Sequence, residues 1–234
     1  MTPRRVAFVN VDGTLTTCMT LRSLLDHIRP GPGSEPTVGH LGSAPARLVR
    51  LDGSGASPEE LVRAYCRLLA GQPVGAVAVW GREWFDRAHR RPGFFHRPVR
   101  AAVREHADRG DLLVLVSGSV GACLAPLGRY VRADAMLGST PRAVSVVYTG
   151  EVHPVLAGEE LGAAVRRWMA EHGLSPADCC GYGSHASDLS MLLQVGDPVV
   201  VGDDPVLAEH AERHGWRRLP GACDALPAIP LAAS

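Results

Sequence analysis

The chain has 234 residues with 24 basic and 24 acidic side chains and a pI near 7.1, so no global field draws it to nucleic acid or to an anionic membrane. Its length suits one generous domain or a domain with a smaller companion, and 46% hydrophobic against 21% charged residues exclude a disordered chain. Every basic residue is an arginine, which rules out a lysine Schiff base and a Walker-type phosphate loop.

Val6-Ala7-Phe8-Val9 is a continuous apolar, β-branched run, as expected for a strand buried on both faces, and it ends in the polar loop Asn10-Val11-Asp12-Gly13-Thr14. The spacing then predicts helices over Leu21 to Ile28, Pro58 to Leu69 and Val74 to Arg90, the last with Val77, Trp80 and Trp84 on one face. Pro30 to Ser57 reads as a loose connection with one short helix near Ala46 to Leu51. A helix around Val99 to Asp108 leads into a second strand, Leu112 to Val116, which closes with the loop Ser117-Gly118-Ser119. A hairpin is expected over Val144 to Val152, around Thr149-Gly150. Leu161, Val165, Trp168 and Met169 mark a helix face ending at Gly173. The strand Cys179 to Gly183, a helix through Leu189 and Leu193, the strand Val199 to Val201 and a helix around Val206 to His214 follow. Alternating strands and helices imply a parallel sheet covered on both sides, an α/β Rossmann-like core. The strand-free stretch after the first loop reads as an inserted helical cap, so residues 1–16 and 96–234 form the core and 17–95 the cap.

The six cysteines, Cys18, Cys66, Cys123, Cys179, Cys180 and Cys223, form no metal-type CxxC pair and follow no secretory leader, as expected of reduced thiols in a cytoplasmic protein. No apolar stretch approaches the roughly 20 residues of a membrane helix.

In a parallel α/β sheet, ligands bind beyond the carboxyl ends of the strands, which singles out Asn10 to Thr14, Ser117 to Ser119 and Gly183 to Asp188. Here the chain resembles the haloacid dehalogenase (HAD) superfamily, in its phosphoserine-phosphatase-like branch with a helical cap. The resemblance rests on Phe8-Val9-Asn10-Val11-Asp12-Gly13-Thr14-Leu15, Leu115-Val116-Ser117-Gly118-Ser119, Tyr148-Thr149-Gly150-Glu151-Val152 followed by Gly158-Glu159-Glu160, and Tyr182-Gly183-Ser184-His185-Ala186-Ser187-Asp188-Leu189.

That resemblance also implies a changed chemistry. In relatives an aspartate attacks phosphorus where Asn10 stands, a lysine stands at Leu161, and a magnesium-binding aspartate stands at Ser184. A neutral amide is a feeble nucleophile and cannot help to neutralise magnesium, so Mg²⁺ binding is expected to be weak or absent, with no metal ligands and no other cofactor. The expected partner is a small anionic metabolite. Asn10, Gly13, Ser117, Gly118, Ser184 and Asp188 are its candidate binding residues, through backbone amides, hydroxyls and the Asn10 amide.

Asp12 resembles the family's general acid/base, with a turn-organising role as the alternative. Asp188 reads as a former metal-site residue, an arginine partner or a helix N-cap. His185 either transfers protons or is an idle loop histidine. Arg82, Arg87, Arg90, Arg91, Phe94, Phe95 and His96 are the cap-side groups that could close over an anion. The leading expectation is a metal-independent enzyme in which an internal nucleophile expels phosphate or sulfate by ring closure or elimination in specialised metabolism. The alternatives are a non-catalytic subunit (a pseudoenzyme) paired with itself or another protein, and a residual phosphomonoesterase.

Overall fold

The computed structural model describes residues 5–28 and 56–221. The expected short helix near Ala46 to Leu51, most of the Pro30 to Ser57 connection and Cys223 lie outside them. Eight strands are seen among the described residues: β1 Val6–Asn10, β2 Leu112–Val120, β3 Ala135–Ser139, β4 Pro141–Val144, β5 Val147–Val152, β6 Cys179–Gly183, β7 Asp197–Val201 and β8 Arg217–Leu219. The helices are α1 Thr20–His27, α2 Pro58–Arg67, α3 Val74–Ala88, α4 Arg97–Arg109, α5 Gly121–Val131, α6 Glu159–Glu171, α7 Leu189–Leu192 and α8 Pro205–His214.

Six strands form one parallel sheet in the order β3-β2-β1-β6-β7-β8, so the order reverses on either side of β1. The carboxyl ends of β1 and its neighbours are therefore where a crevice opens. Both faces of β1 are buried because its side chains alternate. Ala7 and Val9 enter the core shared with the cap, whereas Val6 and Phe8 pack under α6, with Phe8 edge-on to Trp168 at 5.5 Å.

Helices α1, α2 and α3 are inserted between β1 and α4 and form the cap. The chain returns to the core beside the point where it left: Thr17 N–H donates to Phe94 O, and His96 N–H donates to Leu15 O. α2 starts on a capping box in which Ser57 and Glu60 satisfy each other's backbone N–H groups, with Pro58 in the first turn. Both cap tryptophans pack in the cap, as expected; Trp84 is buried and donates to Ser23 Oγ at 2.9 Å.

Three local features differ from the expectation. Ser117-Gly118-Ser119 is not a loop but the irregular end of β2, where the register with β3 shifts between Ser117 and Val120. The hairpin turns at Ser145 and Val146, both at positive φ, and not at Thr149-Gly150. Gly150 (φ 88°) lies within β5, where an added Cβ would press on Ala70 and Arg67, so its glycine serves a close approach to the cap. Tyr148 and Val146 tie the hairpin to the α2–α3 connection through backbone bonds with Gln72, Gly71 and Val74. Finally, α5, β3 and β8 are additional elements.

The cap sits on α5 through Gly81 of α3, where a Cβ would fall onto the Ala122 carbonyl oxygen. Gly81→Ala is expected to cost about 1–2 kcal/mol net, because overpacking outweighs the roughly 1 kcal/mol gained in helix propensity. A lower urea midpoint at unchanged m-value checks this.

Candidate active site

Asn10, the last residue of β1, is 7% exposed, and its Nδ2 donates to Asp188 Oδ1 at 2.6 Å. Asp188 is 1% exposed, and its Oδ2 accepts the backbone N–H groups of Ser184 at 2.8 Å and His185 at 3.1 Å. The reverse orientation of the Asn10 amide would set its oxygen against a carboxylate, so the donor orientation is the one the chemistry selects. Burial pushes the Asp188 carboxyl above the ordinary carboxylate range, and the Asn10 amide and the two backbone N–H groups pull it part of the way back. Asp188 directly precedes α7, but its carboxylate makes no capping bond to that helix; it caps the short 3-10 turn before it, by accepting His185 N–H, and reaches across to β1. Gly183 permits this, because a Cβ there would lie 2.7 Å from the Asp188 Cβ.

Asp12 is half-buried in the first loop. Its Oδ1 accepts Thr20 N–H, the first residue of α1, at 2.5 Å, and its Oδ2 accepts the Ser117 hydroxyl at 2.6 Å. Burial raises its pKa, with the Ser117 and Thr20 hydrogen bonds acting in the opposite direction. Each carboxylate oxygen can accept two hydrogen bonds, so Asp12 keeps acceptor capacity. Ser117 Oγ in turn accepts Ser119 N–H at 2.8 Å, which fixes the end of β2. Gly13 (φ 75°) makes the turn, and beside it Thr14 Oγ1 donates to Ser184 Oγ at 2.8 Å. Those two hydroxyls close the seam between the first and last loops.

Above this floor lies a cavity of about 200 Å³. Of the candidate residues, Asn10, Asp12, Gly118, His185 and Asp188 line it, and Gly13, Ser117 and Ser184 do not. Its walls are residues the sequence reading did not single out for the site: Met19 and Leu21 at the start of the cap, Leu61, Val62 and Tyr65 of α2, and Leu156. The signal was present, since Leu61, Val62 and Tyr65 share one face of a capped helix that follows the first loop. Leu161, in the first turn of α6, also lines the cavity and is buried.

Arg82, Arg87, Arg90 and Arg91 are exposed and do not line the cavity. Phe94, Phe95 and His96 are buried outside it. Among the described residues no arginine lines the cavity. Arg22, near Tyr65, pairs with Asp26 at 3.0 Å. His185 is exposed; its Nδ1 accepts Ser187 N–H at 3.1 Å, which places the proton of the neutral ring on Nε2.

The residues present do not fit the family's magnesium ion. Asp188 already accepts three hydrogen bonds, one of them from the Asn10 amide. Mg²⁺ needs near-octahedral oxygen ligands, and among the described residues no group of three or more His, Cys, Asp or Glu could hold a metal. Neither nearby thiol offers a substitute nucleophile. Burial, with the Asp12 carboxylate adding to it, pushes Cys18 up to about 11, and burial pushes Cys123 up to about 12, so both stay protonated near neutrality.

The family model for haloacid dehalogenase-like hydrolases matches residues 7–193. The chain belongs to that family. The structure of a protein of unknown function from Bordetella pertussis Tohama I is similar, with a TM-score of 0.77 and 25% identity, covering 93% of this chain and 99% of that one. A substrate-bound phosphoserine phosphatase shares the fold at a TM-score of 0.63 and 18% identity, covering 89% and 91%. Among curated proteins, one named inhibition of morphological differentiation protein, from Streptomyces azureus, is 32% identical over 116 residues, 49% of this chain. A probable phosphatase of Mycobacterium tuberculosis is 31% identical over 114 residues, also 49% of this chain. The matches span only 42% and 40% of those relatives' own lengths. No helix among the described residues is long and apolar enough to cross a membrane.

Proposed function

We propose that this chain is a repurposed, metal-independent member of its family that moves a proton through Asp12 and transfers no phosphoryl group to its own side chain. The observation that carries this is the 2.6 Å hydrogen bond from Asn10 Nδ2 to Asp188 Oδ1. It puts a neutral donor where a phosphatase of this fold needs an attacking carboxylate, and it engages a carboxylate that would otherwise face a metal.

Asp12 lines the cavity with acceptor capacity to spare, and its raised pKa suits an acid/base group. The reaction class this serves is an intramolecular displacement or elimination on a small metabolite. The substrate's internal nucleophile gives a proton to Asp12 and then bonds to carbon, and the carbon–oxygen bond to the departing phosphate or sulfate breaks with both electrons leaving on oxygen. His185 Nε2–H is the donor that can meet that oxyanion. The anion cannot rest on the floor. At an effective dielectric of 20, each unit charge placed roughly 4 Å from a carboxylate is repelled by about 4 kcal/mol.

Phosphate release from a panel of phosphomonoesters, with Mg²⁺ and with EDTA, tests this. No metal-dependent turnover is expected on any ester. Turnover that rises with Mg²⁺ and persists in the purified monodisperse protein would overturn the proposal.

A further inference from the structure

The site's charge is incomplete. Asp12 and Asp188 share the floor of a largely apolar cavity, yet no arginine is among the described lining residues and the chain has no lysine. Buried carboxylates are ordinarily paired with a cation, because leaving one uncompensated is costly. Asn10 supplies Asp188 with a hydrogen bond but no charge.

The free groups on the floor are acceptors. Asn10 is 7% exposed and lines the cavity; its Nδ2 is spent on Asp188, and its Oδ1 accepts no hydrogen bond among the described residues. Asp12 has unused lone pairs beside it. The walls above, Leu21, Leu61, Val62 and Leu161, offer only hydrocarbon contact. Leu161 extends the apolar lining down to the floor.

We infer that the cavity recognises the amine end of its small substrate, with the ammonium group against Asp12 and Asn10 Oδ1 and the adjoining hydrocarbon part between α2 and Leu161. This deepens the proposed function, on which it rests: the amine is the protonated form of the internal nucleophile, and Asp12 takes the proton that must leave before it attacks. The cavity volume of about 200 Å³ restricts the hydrocarbon part to a few carbons.

A matched series of 3-methylbutylamine, 3-methylbutan-1-ol and 3-methylbutyl phosphate, titrated into the full chain at pH 8 and followed by amide NMR shifts, separates the choices. The amine is expected to bind at least about tenfold more tightly than the alcohol, and the phosphate not to saturate, since a charge-assisted hydrogen bond is roughly twice as strong as a neutral one. Asp12→Asn should weaken the amine by about tenfold and leave the alcohol nearly unchanged. Leu161→Lys, which supplies the missing cation from within, should abolish amine binding and admit the phosphate. Tighter binding of the phosphate, equal binding of amine and alcohol, no binding of any of the three, or amine binding indifferent to both variants would each overturn the inference. Its failure is distinct from that of the proposed function, which falls only on metal-dependent phosphate release.

Discussion

Asn10→Asp, Leu161→Lys and Ser184→Asp, introduced together, are expected to create Mg²⁺-dependent phosphomonoesterase activity at least about 10³-fold above the unaltered chain, because they restore a nucleophile, a cation and a metal ligand at once. The positions already converge. Asn10 and Leu161 line the same cavity, and Ser184 meets the first loop through Thr14. Carboxylates at 10 and 184, together with Asp188 and a backbone carbonyl of the first loop, form the hard oxygen set that Mg²⁺ requires. Each substitution alone should yield little, since such groups act as a unit.

A second readout is independent of turnover. Aspartate at position 10 would face Asp188 across the 2.6 Å contact now made by an amide, and two carboxylates at that separation repel. The triple variant should therefore melt below the unaltered protein in EDTA and recover in Mg²⁺, whereas the unaltered protein should show no such difference. A triple variant whose melting ignores Mg²⁺ would mean that these three positions are not what separates this site from a metal-dependent one.

Four strands of the sheet, β1, β2, β6 and β7, and the cap helices were legible because burial imposes a pattern that survives in a single sequence: continuous apolar runs in β1 and β7, and a 3.6-residue stripe in α3 and α6. α5 was not, since Gly121, Pro126 and Gly128 read as breakers. At Gly128 the reason is tertiary, and the start of the helix carries the cap. Ala122 lies under Gly81 of the cap, and a Cβ at Gly128 would strike Met136 of β3. The loops that build the site were readable from the strand ends and from the family motifs. Their wiring was not: Asn10 and Asp188 stand 178 residues apart, and no local spacing reports whether an amide donates to a carboxylate or faces a ligand. The cavity's charge was hidden for the same reason. Arginines near position 90 belong to the cap but are exposed, while Leu61, Val62 and Tyr65 of α2 supply the wall.

Asp188→Asn is expected to stabilise the protein by on the order of 1–4 kcal/mol at pH 8, although it removes a charged partner from Asn10. With Asn10 turned over, the new amide can donate to Asn10 Oδ1 while its own oxygen still accepts from Ser184 and His185, so every hydrogen bond on the floor survives without a buried charge. The pH dependence gives the sign. Burial holds the folded-state pKa of Asp188 above its unfolded value, so between the two the folded protein keeps a proton that the unfolded chain has lost. Stability therefore falls as pH rises from about 3.9, the unfolded carboxylate value, through the folded pKa, and stays at the lower level above it. The asparagine variant lacks that loss. Its advantage in urea midpoint should be absent near pH 3, grow across that window and remain constant beyond it. A variant less stable than the parent at every pH would instead mean that the Asp188 charge is compensated in the ligand-free fold, and the case for an incoming amine would lose its electrostatic basis.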